Sequence, residues 1–329
     1  MNPACVADRL QFPGFSESKT LGHVSGDSKR NESGDIKRDA VCYRCMRCRA
    51  RYAVEAGSRL FSQPGHGSAS ASMAGLAFYN FAIGVSLTHT CLQLNVTREV
   101  VRAFYKTARR IVAEDAVSRQ RRVVFGREGS KTVDVEMDEC SFTHYSEIVQ
   151  VNGIDTRRHY YYTWLGVLQR GDMTKLWMRS LGLNHADGDK APPPPLSDES
   201  RDEALGACFA EGSNVCMHTD SARTYVAASH GALAAGIVSW DLVNHSEYEY
   251  SRSTQLIADV RSHEKRDGYA GTQTLDSTWK HMQRDIPDHC SVKTQEGLQE
   301  YEEHVRCAQW RRMLSGQDLY AAFCRATQA

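Results

Sequence analysis

The chain has 329 residues, enough for one large domain with one or two small ones beside it. Its 40 basic and 40 acidic residues cancel, so overall charge names no partner, and the longest apolar stretch, around 75–85, is too short and interrupted to span a bilayer. The 11 cysteines are scattered, only Cys42, Cys45 and Cys48 cluster, and no signal peptide is present, which argues for free thiols in a reducing compartment and against a disulfide framework or secretion.

Residues 1–40 are polar, rich in glycine and serine and without periodicity, and read as disordered. A cysteine- and arginine-rich piece follows over 41–62, then a Gly/Ser/Ala linker at 65–72. The next block, 73–118, is helical. Met73–Gly84 and Ser86–Leu94 are two predicted helices, Asn95-Val96 makes a turn, and Thr97 caps a third helix running to Val117. Val100, Val101, Phe104, Ala108 and Ile111 line one face of that third helix and leave its arginines on the other. Three helices with a tight turn before the last form a helix-turn-helix pattern, which many small helical domains share without touching DNA. The arginine- and lysine-rich run from Arg98 to Lys131 has the charge expected of a phosphate-binding face or of a solvated helix.

From Lys131 the pattern changes to strands. Val133–Phe142 alternates with period two, His159–Gln169 is aromatic and β-branched, and Arg170-Gly171-Asp172 turns it into Thr174–Leu183. A proline-rich loop, Ala191–Leu196, leads to a helix at Ser197–Ala210. A strand at Asn214–Thr219, a helix at Ala222–His230, a strand at Ile237–Val243 and a helix from Thr272 to about Ile286, stopped by Pro287, complete the block. The order βββαβαβα predicts an α/β fold of ribonuclease H-like architecture over 131–290: a mixed sheet with helices on both faces. Two helices broken at Ser315-Gly316 make up a C-terminal piece, 291–329.

Three acids stand out. Asp138 lies near the end of the first strand, Asp220 closes the run Ser213–Thr219, and Asp276 falls in the first turn of the helix at Thr272. Alternation puts Asp134, Glu136 and Asp138 on one strand face, which for any single aspartate reads as a solvated acidic surface. Asp220 sits at a strand's carboxyl end, where open α/β sheets collect ligands. Leu275, Trp279, Met282 and Ile286 form the apolar stripe of the last helix, so Asp276 points away from the core with Gln273, Lys280 and Gln283, as a first-turn acid complementing the helix dipole would. Two strand-borne aspartates and a helix-borne acid are also what a two-metal phosphoryl-transfer site requires.

Several short runs resemble the DDE transposases of Merlin-type DNA elements and the related bacterial insertion-sequence transposases, over roughly residues 43–325. Tyr43–Val54 is similar to the second knuckle of that family's zinc ribbon, Gly57–Phe61 to the run that follows it, and Tyr79–Ser86 with Leu94–Thr97 to its helix-turn-helix. Val135–Glu139, Thr219-Asp220 with Tyr225, Val243–Tyr248 and Thr272–Trp279 resemble its catalytic motifs in order. The resemblance implies a transposase that cuts and joins double-stranded DNA at terminal inverted repeats and works as a homo-oligomer, in the nucleus if the element is eukaryotic and otherwise in the cytoplasm. It implies Asp138, Asp220 and Asp276 as catalytic ligands of two Mg2+ or Mn2+ ions. Thr97, Arg98, Glu99 and Arg102 would stand nearest the bases, and Lys106 and Arg109 on the phosphate backbone. Lys280 and Arg284 would meet phosphates beside the site, and His245 is expected to be structural. The chain departs from the family pattern in four places, one of them Gln283, where the family has a basic residue that here is only adjacent, as Arg284. Asp276 stands where the family has glutamate, Gln273 replaces an asparagine, and the first zinc knuckle is missing, which leaves Cys45 and Cys48 short of the four ligands a zinc site needs. These departures keep two other readings open: a DNA-binding protein descended from a transposase, without catalysis, and a ribonuclease H-like nuclease with another substrate.

Overall fold

A computed structural model describes residues 21–24, 42–45, 51–53, 71–126, 129–209, 213–230, 236–287 and 292–328. The chain divides into two units, residues 1–108 with 327–329, and residues 109–326. Among the described residues no helix is long and apolar enough to cross a membrane.

The first unit carries three short strands, β1 (Leu21–Val24), β2 (Cys42–Cys45) and β3 (Arg51–Ala53), in the order β1-β2-β3 and all antiparallel. β1 falls inside the segment expected to be disordered; the rest of 1–40 lies outside the described residues. Its helices are α1 (Ala71–Ala82), α2 (Leu87–Leu94) and α3 (Arg98–Gln120), with the division between units falling inside α3. Ser86 caps α2, and Asn95 ends it in the left-handed region at φ 51°, a conformation asparagine tolerates, so the tight turn into α3 is local chemistry. Phe78 and Phe81 of α1 meet Phe104 and Tyr105 of α3 edge-on at 5.4 and 5.3 Å. The buried Asn80 amide donates to Thr90 Oγ1 at 3.1 Å and to Gln93 Oε1 at 2.8 Å, which satisfies polar groups that burial would otherwise leave costly.

In the second unit β4 (Val133–Val151), β5 (Ile154–Gln169) and β6 (Leu176–Asp187) form an antiparallel meander, and β7 (Val215–Asp220) and β8 (Ile237–Val243) add on parallel to β4. The five-stranded mixed sheet has the order β6-β5-β4-β7-β8. Helices α4 (Asp198–Cys208) and α5 (Arg223–His230) connect its later strands, and α6 (Gln273–Asp285) packs on β4 and β5. This mixed α/β arrangement is compatible with a ribonuclease H-like fold. β4 and β5 extend well beyond the predicted strands, to a turn at Asn152-Gly153 with φ 53° and 79°. That turn suits a two-residue hairpin. Period-two reading misses the extension because exposed residues crowd both of its faces.

A second hairpin, β9 (Arg252–Asp259) with β10 (Glu264–Ala270), lies between β8 and α6, where charged residues hid it from the pattern. The C-terminal helices, α7 (Gln295–Met313) and α8 (Leu319–Ala326), fall within the unit of residues 109–326. Gln309 of α7, fully buried, donates to Gln120 Oε1 at 2.8 Å and to the Leu176 carbonyl at 3.1 Å.

Gly166 of β5 faces Asp138 across the ladder. A Cβ there would lie 2.2 Å from the Trp279 ring of α6, so a bare backbone is what lets that indole lie over the sheet. Gly166→Ala is expected to displace Trp279 and cost ~1–3 kcal/mol, the usual penalty of overpacking a dense core, in urea unfolding followed by circular dichroism. An unchanged midpoint would show that the indole contributes little.

Candidate active site

The parallel ladder between β4 and β7 pairs Val133 with Val215 and ends with Glu136 opposite His218. Its offset is 218 − 136 = 82, and 220 − 138 is also 82, so continuing the register brings Asp138 level with Asp220 at the carboxyl edge. Asp220 is held by its own chain: Oδ1 accepts the Ala222 N–H at 3.0 Å, an aspartate turn at the strand end. Asp138 Oδ2 accepts the Trp279 Nε1–H at 3.0 Å. Asp276 comes from the first turn of α6, where Thr272 Oγ1 donates to its Oδ2 at 3.3 Å.

Burial first, and then the charges of Glu139, Asp276 and Asp220, hold the Asp138 carboxyl well above the usual carboxylate range. The three sequence-predicted acids therefore share one electrostatic site. Burial also raises Asp276; Glu136 adds to this, while His245, Thr272 and Lys280 oppose it. Asp276 is thus half-buried among these groups rather than facing solvent away from the core. Two residues that the pattern did not assign complete the surroundings. Glu139, desolvated and beside Asp220, is raised to about 7, with Tyr225 opposing the shift. Cys140 is pushed up to about 12 by burial and by Asp138 and Asp276, so its thiol stays protonated. Alternation had put Glu139 on the far strand face from Asp138, which is why sequence reasoning passed over it.

The solvated acidic face expected for Asp134, Glu136 and Asp138 is corrected by the structure. Glu136 is fully buried. Its Oε1 accepts Arg170 Nε at 2.6 Å and its Oε2 accepts the Leu275 N–H at 2.7 Å. Arg170 goes on to donate to the carbonyls of Tyr269 and, at 2.5 Å, Gly271. Arg170 appeared in the sequence only as a turn residue. Burial alone would raise Asp134, but hydrogen bonds from His218 and Arg266 outweigh it and hold this acid below its ordinary value. His245 lies in a single 3-10 turn with its ring 5.1 Å from Tyr250, and its buried Nε2 has no hydrogen-bond partner among the described residues.

Of the candidate DNA contacts, Thr97, Arg98, Glu99, Arg102 and Lys106 are exposed on α3, and Lys280 and Arg284 are exposed on α6. Arg109 is a correction. It is 7% exposed, and its guanidinium meets Glu300 at 2.7 Å and Glu303 at 3.3 Å, so it is already spent on an internal ion pair and does not face a phosphate. Of the proposed zinc ligands, Cys48 lies outside the described residues, and for Cys45 only its place in β2 is described.

Among the described residues no three His, Cys, Asp or Glu side chains stand together as a ready-made metal cage. The donor chemistry nevertheless fits a hard divalent cation: carboxylates from three elements act on one another, and burial together with the charges of Glu139, Asp276 and Asp220 raises Asp138. Magnesium commonly takes one or two protein carboxylates and fills the rest of its shell with water and phosphate.

A pH signature follows. The folded chain keeps a proton on Glu139 up to about 7, whereas the unfolded chain releases it near 4.5. Bound protons on this group then favour the folded state, so the Glu139 contribution to stability is fully present below about 4.5 and is lost as pH rises through about 7. Mg2+ should therefore raise Tm more at pH 7.5 than at pH 5. Equal shifts at the two pH values would sink this account of the carboxylates.

No protein-family model and no curated protein matches the chain. Among solved structures the chain is similar to the Drosophila P element transposase strand transfer complex, with 10% identity and a TM-score of 0.25, over 80% of this chain and 64% of that one. The chain thus spans just under two thirds of that relative's length, and a TM-score of 0.25 is too low for the likeness to bear on fold or function.

Proposed function

We propose that the protein is a transposase that cleaves and joins DNA strands, with Asp138, Asp220 and Asp276 as its catalytic carboxylates. One observation supports the reading: the charges of Asp220, at the end of β7, and of Asp276, on α6, both act on the buried Asp138 carboxyl. The three acids would hold Mg2+ or Mn2+, which when bound supplies Lewis-acid activation of water or of a DNA 3′-hydroxyl.

The rest is the work of this chain's own groups. The Trp279 N–H fixes the orientation of Asp138, and the Ala222 N–H fixes that of Asp220. Glu139, raised to about 7, can hold or accept a proton beside Asp220 at neutral pH. Lys280, exposed on α6 near Asp276, offers a cation to a phosphate oxygen. The exposed start of α3, Thr97 to Arg102, suits DNA reading by a helix N-terminus in the major groove, with Lys106 toward the backbone.

A second reading, a transposase-derived DNA-binding protein without catalysis, is favoured by the lack of a ready-made metal cage among the described residues and by Asp276 being one methylene shorter than glutamate.

One experiment separates the two: nicking of the DNA that flanks the coding region, assayed with Mg2+ or Mn2+. Asp220→Asn is expected to lower nicking by at least ~10²-fold and leave binding intact, in line with loss of a group acting on the transition state. Specific binding by the unmutated chain without any nicking would overturn the enzyme reading, and loss of binding in Asp220→Asn would make Asp220 structural. Arg102→Ala is expected to relax base preference while leaving the slope of log affinity against log salt nearly unchanged, as loss of a base contact would. Weaker binding on all sequences with the slope reduced by about 1 would assign Arg102 to a phosphate instead.

A further inference from the structure

Next to Glu139 and Ala222 lies a cavity of about 290 Å³ whose remaining lining the proposed chemistry leaves without a role. Its floor is the sheet face on the side of Glu139, with Glu139 and Ser141 of β4, Thr163 of β5 and Asn184 of β6. Its far wall is the proline loop, including Pro194. Ala222, whose N–H holds Asp220, closes the side nearest the carboxylates. The loop is fastened in place: Tyr161 Oη donates to the Ala191 carbonyl at 2.5 Å, and a His159 ring nitrogen lies 3.2 Å from the Asp189 carbonyl. The wall is therefore built before any ligand arrives.

The lining has two characters. Pro194 offers a flat apolar surface. The floor offers hydrogen-bonding edges: Ser141 and Thr163 share one hydrogen bond at 2.9 Å, leaving spare capacity on both hydroxyls, and the half-buried Asn184 amide takes no hydrogen bond from the described residues. A planar heterocycle with donors and acceptors on its rim matches both, as asparagine's paired donor and acceptor do for an adenine edge. At about 290 Å³ the space suits one base and excludes a duplex.

We propose that this cavity receives the nucleobase of an unpaired nucleotide in the strand whose phosphate lies at the carboxylates. The proposal rests on the strand-cleavage reading, and it gives that reading a means of positioning. A base seated between Pro194 and the sheet floor would fix its own sugar-phosphate on the side of Ala222 and Asp220. Extruding a base costs least where the duplex is already open, so the pocket would favour frayed or single-stranded ends.

The test uses the full chain with Ca2+, which supports binding without turnover, and a single-stranded DNA octamer carrying one 2-aminopurine, against the same octamer with an abasic site there. The base-bearing strand is expected to bind at least ~5-fold more tightly, in the range of one stacked base, and its fluorescence to be quenched. Ser200→Phe, which fills the cavity from α4, is expected to abolish both the preference and the quenching. Asn184→Ala is expected to reduce the preference, and it carries the same test should Ser200→Phe fail to fold. Free dAMP competing for the quenched site would show that a single nucleotide suffices, and failure of dAMP to compete while the preference persists would show that the strand is needed; both support the pocket. Equal binding of the two octamers, or a preference untouched by both substitutions, would overturn it. Nicking is scored separately: base preference without nicking supports the pocket and removes the transposase reading, whereas nicking without base preference overturns the pocket alone.

Discussion

The second unit depends on one buried ion pair. Glu136 has no contact with solvent, and its two oxygens tie three separate pieces of chain. One oxygen takes Arg170, from the turn after β5, and the other takes the Leu275 N–H in the first turn of α6. Arg170 in turn gathers the Tyr269 and Gly271 carbonyls at the end of the β9–β10 hairpin. Desolvating a carboxylate costs several kcal/mol, and removing one partner of such a pair typically costs ~3–5 kcal/mol because the other is stranded. The position of α6 on the sheet, and with it Asp276 relative to Asp138, is set by this constraint.

Asp134, Glu136 and Asp138 share a strand face and the same ionisable chemistry, yet meet opposite fates. Asp134 has Arg266 and His218 as partners and is held below its ordinary value. Asp138 has acids for neighbours and only an indole N–H in its favour, so it is driven well above the usual range. A carboxylate that is surrounded by others and denied a protein cation is a site where an external cation is worth most. Trp279 reaches it only because Gly166 leaves room, so a packing requirement and an electrostatic one meet in a single side chain.

Much of the fold was legible in the sequence where local chemistry is decisive. Asn95, read as the turn between two helices, ends one of them in the left-handed region, and Ile237–Val243 is a strand in both readings. The reading failed where neighbours distant in sequence decide the outcome. The arm of β4 and β5 beyond Phe142 is exposed on both faces and has no alternation to read. The β9–β10 hairpin is rich in charged and polar residues that pair across the ladder, as Gln255 does with Asp267. Arg109 sits in a basic run on a helix, where nothing local separates it from Arg102, and only α7, some 190 residues on, supplies the glutamates that bury it.

The candidate site divides in the same way. The sequence by itself determined that Asp220 closes a strand and that Asp276 opens a helix, because period, caps and Pro287 are properties of neighbouring residues; Asp138, expected near a strand end, lies well inside the longer β4. It also offered the matching separation of Asp138 and Asp220, which acquires meaning only once β4 and β7 are known to pair in parallel at that offset. Tertiary structure alone decided that the acidic face of β4 is covered, that Glu139 joins the carboxylates, and that a proline-walled cavity opens beside them. The physical reason is that burial and Coulomb interaction depend on distance in space. Residues 136, 170 and 275 are strangers along the chain and hydrogen-bond partners in the fold.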